Sequence, residues 1–259
     1  MTGKLILVTF VCFLFSICSV NAAEKLVYYV NPFIGTDEDG HTFPGALVPF
    51  GMVQLSPDNG EHGYNWCSGY HYSSNKIQGF SHTHYSGTGA ESLCDISVFP
   101  LVNAAPTWES LSSEFSHQNE TASPGYYSVI LKSSDIKAEL TATIHCGMHR
   151  YTFPEGKNAL LRIDLGFGNG TEARVGHNGD EPLECYFKRI DDHTVVGFRR
   201  SMGFVGERIV YFAAKTSLPF GNVSIFADCT LVRSKEVANA VRLKSYLSFP
   251  GTRAGAQLL

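Results

Sequence analysis

The sequence predicts an all-β protein, built as one large antiparallel β-sandwich, and three observations carry the prediction. Stretches of the chain alternate apolar and polar residues with a period of two. Turn-forming residues, 25 Gly and 11 Pro, cut the chain into short pieces. Strand-favouring aromatics are abundant, with 18 Phe and 12 Tyr, whereas helix signals are few.

The longest alternation places Leu140, Ala142, Ile144, Cys146 and Met148 on one face and Thr141, Thr143, His145, Gly147 and His149 on the other. Successive side chains of a strand point to opposite faces of the sheet, so one half-buried strand is expected over residues 140–149. Similar runs occupy residues 126–131, 159–165, 194–199, 208–215 and 241–249. Pro, Gly, Asn and Asp bound them at spacings typical of sandwiches. Residues 26–34 read as a first strand, 35–39 as a turn, and 257–259 as the start of a last strand. The best helix signal, residues 235–243, is short. Residues 40–89 are dense in Gly, His, Ser and aromatics without clean periodicity. That composition suits loops over a rigid scaffold, where function concentrates.

Composition sets the outer bounds. A chain of 259 residues, 44% apolar and 17% charged, can bury a sizeable core in one large all-β domain or two small ones. A net charge of −4 and a pI near 6.2 give no electrostatic reason to expect nucleic acid or an anionic membrane as partner. Lys4 precedes an apolar run over residues 5–20, broken only by Thr9, Ser16 and Ser19. Val20-Asn21-Ala22 then supplies small residues for signal peptidase, so residues 1–22 read as a signal peptide cleaved near Ala22. The run is too short for a membrane span, and Ile17 before Cys18 argues against a lipoprotein anchor. The expected location is the periplasm or the extracellular space. The folded domain occupies residues 23–259, and its apolar ending, Gln257-Leu258-Leu259, reads as a truncation.

Cys12 and Cys18 leave with the signal, and Cys67, Cys94, Cys146, Cys185 and Cys229 remain. An odd number without CxxC spacing is neither a disulfide framework nor a zinc motif.

Several segments occur in a telling order: Val30-Asn31-Pro32-Phe33-Ile34-Gly35-Thr36, Gly40-His41-Thr42-Phe43-Pro44-Gly45-Ala46, and Val48-Pro49-Phe50-Gly51 running on to Ser56-Pro57-Asp58. Trp66-Cys67-Ser68-Gly69-Tyr70-His71-Tyr72, Gly79-Phe80-Ser81-His82-Thr83-His84 and Ser86-Gly87-Thr88-Gly89 follow. Ala122-Ser123-Pro124-Gly125-Tyr126-Tyr127, Glu139-Leu140-Thr141-Ala142-Thr143 and His149-Arg150-Tyr151-Thr152-Phe153-Pro154 extend the series. In this order and spacing the chain resembles the N-terminal domain of glycoside hydrolase family 92, over most of its mature length. The resemblance implies a galactose-mutarotase-like supersandwich that an (α/α) barrel would follow. It also implies calcium-dependent, inverting exo-α-mannosidases acting on mannose-containing glycans. Inversion needs two carboxyl groups roughly 6.5–9.5 Å apart, and in the family these lie in the C-terminal domain, as most calcium ligands are expected to. No catalytic residue and no metal ligand is therefore assigned in this chain.

The resemblance implies that this domain shapes the sugar pocket. Trp66 is the first choice, because an indole face stacks on the apolar face of a pyranose; a core Trp is the alternative. Cys67 either lines the pocket or is an inert core thiol. Thr42 and Phe43 lie in a Gly/Pro-bounded loop and read as a wall of the subsite or as a plain sandwich turn. His82 and His84 stand two apart, as a strand would present two imidazoles, but no carboxylate or Cys completes a ligand set. Substrate contact by His82, or hydrogen bonding that orders the 81–89 loop, is the expectation. Asp37, Glu38, Asp39 and Asp58 read as solvated turn residues. Two departures from the family pattern are visible: Tyr85 replaces a smaller aliphatic, and Cys94 stands where Gly is common. Hypotheses from two classes follow: part of a mannosidase that needs its missing barrel to act, or a stand-alone carbohydrate-binding sandwich. A third is a fragment with an exposed apolar inter-domain face.

Overall fold

The computed structural model describes residues 25–168, 180–234, 236–249 and 257–258. The chain divides into two units, Met1–Val30 and Asn31–Leu259. In the first, Leu26–Tyr29 forms a 3₁₀ turn and not the strand expected there. The second begins with turns rather than a strand because Asn31 accepts from the Phe33 amide at 3.0 Å and Ile34 and Thr36 bond back three residues. The signal-peptide reading falls on residues outside those described.

The strands, in chain order, are β1 (Ala46–Leu47), β2 (Gln54–Asp58), β3 (Lys76–Ile77), β4 (Gly79–Ser81), β5 (Ser97–Val102), β6 (Ser113–Glu114), β7 (Glu120–Ser123), β8 (Tyr126–Leu131) and β9 (Ile136–Ala142). They continue as β10 (Gly147–Thr152), β11 (Ala159–Asp164), β12 (Glu181–Arg189), β13 (Thr194–Gly203), β14 (Gly206–Lys215), β15 (Val223–Ala227), β16 (Thr230–Leu231), β17 (Val237–Ala240), β18 (Leu243–Phe249) and β19 (Gln257–Leu258). The all-β prediction holds.

An eight-stranded sheet, ordered β1-β2-β4-β5-β11-β18-β15-β16, is the broad layer. A five-stranded sheet, β19-β10-β9-β8-β7, and a four-stranded sheet, β14-β13-β12-β17, complete the sandwich, with a small β3-β6 pair at the side. β8 and β9 pack on β1 and β2, and β12 packs on β18. One apolar core runs through all three layers, from Leu55 and Phe80 past Tyr127 and Leu140 to Phe187 and Leu247. Each of these residues is buried, so each removes apolar surface from water at about 25 cal/mol per Å². Every residue of β11 is buried, which marks it as the central strand of the broad sheet.

Two expectations need correction. The alternation over residues 140–149 is two strands and not one. Thr143 donates its amide to the Cys146 carbonyl at 2.8 Å, and β10 returns on β9 with Gly147 opposite Ala142. The alternation passes through the turn unbroken, so the pattern alone hides it. Residues 235–243 hold no helix among those described: β17 pairs with β12, placing Ala238 opposite Phe187 and Ala240 opposite Cys185. Sheet pairing overrides a weak local helix preference.

β13 alternates cleanly, turning Val195, Gly197, Arg199 and Ser201 inward. Arg199 is therefore a buried cation, and it is met by Asp95 at 2.9 Å and Asp180 at 2.5 Å. Arg208 of β14 reaches the same two carboxylates at 3.0 and 2.5 Å. Burial alone would raise the Asp95 carboxyl, but Arg199, Arg208 and Thr83 outweigh it and hold it below the usual carboxylate range. β14 itself is the outer strand of its sheet, and its Ile209 and Tyr211 are exposed.

Arg199→Ala would leave two buried carboxylates short of a partner. The expected cost is about 3–5 kcal/mol, read as a lower urea midpoint at unchanged slope.

Candidate functional site

Three loops meet at one end of the broad sheet. The first carries Thr42 and Phe43. Thr42 is held by its amide to the Gly35 carbonyl at 3.1 Å and by its hydroxyl to the Ile34 carbonyl at 2.9 Å. The second, from Gly60 to Ser74, is closed at its base by Asn59. The Asn59 amide nitrogen of the backbone donates to Gly69, its side-chain oxygen accepts from the His71 amide at 2.6 Å, and its side-chain nitrogen donates to Lys76 at 2.7 Å. The third runs from His82 to Cys94.

The loops are tied to one another by short polar contacts. The Ser68 hydroxyl donates to the Thr42 carbonyl at 3.0 Å, and the Gly87 amide donates to the His41 carbonyl at 2.7 Å. The Gly63 amide donates to Glu91. The His41 ring stands edge-on to Tyr64 at 4.3 Å, and Gly89 lies so close that a Cβ there would meet the Tyr64 ring at 2.6 Å. Only glycine suits that position, since its φ of +66° also falls in the left-handed region.

Trp66 is half-buried at the end of a short 3₁₀ turn, Tyr64–Trp66. Its indole nitrogen donates to the Ser74 hydroxyl at 2.7 Å, and His71 supports the ring at 5.5 Å. A fixed indole edge with a partly open ring is the form a sugar-stacking platform takes. Phe43 is half-buried, and its ring neighbour is His84 at 4.9 Å. Cys67 is fully buried, and burial pushes its thiol up, with Glu91 adding to the effect. A thiol in that state is inert at neutral pH.

His82 is turned to a different neighbourhood. Its Nδ1 meets the Ile96 carbonyl at 2.6 Å and its Nε2 meets Nε2 of His149 at 3.0 Å, while His149 Nδ1 meets the Tyr151 hydroxyl at 2.8 Å. Both rings line a partly apolar cavity of about 500 Å³ that also touches Met148, Leu161 and Phe212. Neither Thr42 nor Trp66 borders that cavity. The structure thus joins Thr42, Trp66 and Cys67 through neighbouring loops and sets His82 apart with His149.

Sequence reasoning passed over one group. Asp58, taken for a turn residue, ends β2 fully buried, whereas Asp37, Glu38 and Asp39 are exposed as expected. Its Oδ1 lies 3.0 Å from His84 Nε2 and accepts from the Ser81 hydroxyl at 3.0 Å. Cys94 completes a buried trio with them. Burial, then the Asp58 carboxylate, drives the Cys94 thiol well above its ordinary value. With one carboxylate against an imidazole and a thiol, this set does not suit calcium, which prefers oxygen ligands. No catalytic step through calcium is derived from these residues.

The model of the glycosyl hydrolase family 92 N-terminal domain matches residues 29–258, and the chain belongs to that family. It is 35% identical to the family GH92 α-mannosidase BT3965 of Bacteroides thetaiotaomicron, solved in complex with mannoimidazole, with a TM-score of 0.83 over 91% of this chain and 32% of that one. The inverting mannosidase BT2199 of Bacteroides thetaiotaomicron VPI-5482 aligns at 26% identity and a TM-score of 0.68, over 91% of this chain and 31% of that one. An uncharacterized secreted glycosidase of Arthroderma benhamiae is 32% identical over 154 residues, which is 53% of this chain and 19% of that protein. The chain therefore spans about a third of the solved mannosidases it matches.

The two facing histidines set a pH dependence. Burial depresses both rings, partly offset at His82 by its bond to the Ile96 carbonyl, and the His82 charge further disfavours that of His149. A depressed folded-state pKa means the unfolded chain binds more protons below its ordinary histidine value of about 6.5, so stability falls as pH drops from there. Thermal unfolding between pH 7.5 and 5 should track this decline, and His149→Gln should flatten it.

Proposed function

We propose that this chain is the substrate-facing N-terminal domain of a secreted exo-α-mannosidase that hydrolyses terminal α-mannosidic bonds in mannose-containing glycans with inversion. The observation that supports it most is the family match along nearly the whole described sandwich, together with a 35% identical relative solved with mannoimidazole. Trp66 offers a half-open indole for the apolar face of a pyranose, with Thr42 and Phe43 forming the adjoining wall. Cys67 follows Trp66 as a buried thiol, and His82 anchors the far end of the third loop through the Ile96 carbonyl. The general acid, the general base and the calcium belong to an (α/α) barrel beyond this sandwich, and the barrel supplies the opposite wall of the pocket. Secretion follows from the leader-like residues 1–22 and from the relative described as secreted. No helix among the described residues is long and apolar enough to cross a membrane.

A carbohydrate-binding role without catalysis is the competing reading, and one experiment separates the two. The purified chain should not turn over an aryl α-mannoside, and mannose should bind it weakly by ligand-observed NMR, with Trp66→Ala removing the signal. Turnover by this chain alone would sink the proposal. Tight mannose binding without any mannosidase activity when the barrel is supplied would favour the binding module.

A further inference from the structure

Among the described residues, the buried trio Asp58, His84 and Cys94 presents a carboxylate oxygen, an imidazole nitrogen and a sulfur within 4.8 Å of one another. All three residues are at most 1% exposed. The hydrogen bonds around them leave a valence unfilled. His84 Nδ1 faces the Gln54 carbonyl at 2.7 Å, and a carbonyl only accepts, so Nδ1 carries the hydrogen. Gln54 fixes the ring a second way by accepting the His84 amide through its side-chain oxygen at 3.0 Å. Nε2 stands 3.0 Å from Asp58 Oδ1, a contact that needs a second proton on the ring or a metal ion in its place. The Ser81 hydroxyl has one hydrogen, and Asp58 Oδ1 takes it. The other oxygen, Asp58 Oδ2, is buried with no hydrogen-bond partner, a cost of about 1–3 kcal/mol if nothing meets it.

The space between the three donors is open for a reason visible in the backbone. Residue 69 is glycine at φ +85°, and a Cβ there would lie 2.8 Å from Asp58 Oδ1, 2.9 Å from Cys94 Sγ and 3.1 Å from His84 Cδ2. The donors converge on the volume that a side chain would fill. Asp58, Gly69 and Cys94 also line a small cavity of about 10 Å³, with His62 and Glu61 at its side. That is room for a single water.

We propose that Asp58, His84 and Cys94 bind a zinc-class divalent metal ion, with the fourth position open to the small cavity. Zinc accepts one nitrogen, one sulfur and one oxygen at about 2.0–2.3 Å in a tetrahedral set. The ion takes the place of a proton between Nε2 and the Asp58 carboxylate and engages its unpartnered Oδ2 side. It draws the sulfur as thiolate, reversing the effect that burial has on the free thiol. The ion joins the end of β2, the His84 segment and Cys94 directly beneath Gly69, at the foot of the Trp66 loop, with Phe43 packed over the His84 ring. Cys94 holds a φ of +60°, a left-handed conformation that glycine favours.

The test uses the full chain, stripped with chelator, loaded with zinc or cobalt(II), and freed of excess metal by gel filtration. Wild type should retain stoichiometric zinc by mass spectrometry, and the cobalt form should show a near-ultraviolet thiolate-to-cobalt charge-transfer band. Cys94→Gly, which suits the backbone at that position, should lose both while keeping the wild-type far-ultraviolet circular dichroism. Cys146→Ser, which removes an exposed thiol next to His145, should retain both. Wild type that holds no metal overturns the proposal and leaves His84 and Asp58 as a simple ion pair. Retention by Cys94→Gly, or loss from Cys146→Ser, overturns it as well.

Discussion

The fold depends on how it disposes of Arg199. An arginine at an inward position of β13 costs several kcal/mol to desolvate unless carboxylates meet its charge, as they do here at both terminal nitrogens while Nε stays unpartnered. Asp95 and Asp180 meet it, and Arg208 from β14 binds the same pair, so two cations and two anions close on one another. Asp95 also accepts from Thr83 at 2.8 Å. The four-stranded sheet is thereby fixed to the segment that carries His82, His84 and Cys94. The loop cluster at the end of the broad sheet inherits its position from this ionic clasp as much as from apolar packing.

The loops themselves contain few buried apolar side chains, and their order comes from accounting for polar groups. Asn59 satisfies three partners across the base of the 60–74 loop, and Ser68 and Gly87 reach the backbone on either side of Phe43 and His41. Such an arrangement tolerates an aromatic platform that faces outward, because the platform is not needed to hold the loop shut. It also leaves local opening cheaper than in the strands below, as is common for binding loops.

The sandwich was legible because period-two alternation is a direct consequence of pleating, and β13 and β14 carry it. The hairpin at 143–146 was not, since Thr143 and Cys146 continue the alternation while their backbones turn. β17 was missed because Ala238 and Ala240 favour helix in isolation and are recruited by Phe187 and Cys185 across the ladder. In the loops, Thr42, Phe43 and Trp66 were singled out by resemblance and not by pattern. Asp58 looked like turn chemistry, and only the burial of the β2 terminus reveals its partners. His84 and Cys94 are ten residues apart with nothing in their spacing to join them; the approach of β4 and β5 does so. The signal that could have been read is Cys94 itself, an unexpected thiol at a glycine-like position.

One feature of the four-stranded sheet bears on how the chain behaves outside a cell. Among the described residues β14 is an outer strand of ten residues, with Glu207 and Arg208 at one end, Lys215 at the other and an uncharged run from Ile209 to Ala214 between them. Edge strands that escape self-association are usually short, bulged or charged in the middle. This one is long, regular and charged only at its tips, so two copies can zip together along it without a like-charge clash in the central register. For the isolated sandwich, colloidal behaviour at high concentration is therefore governed by a seam on its flank rather than by the stability of its interior.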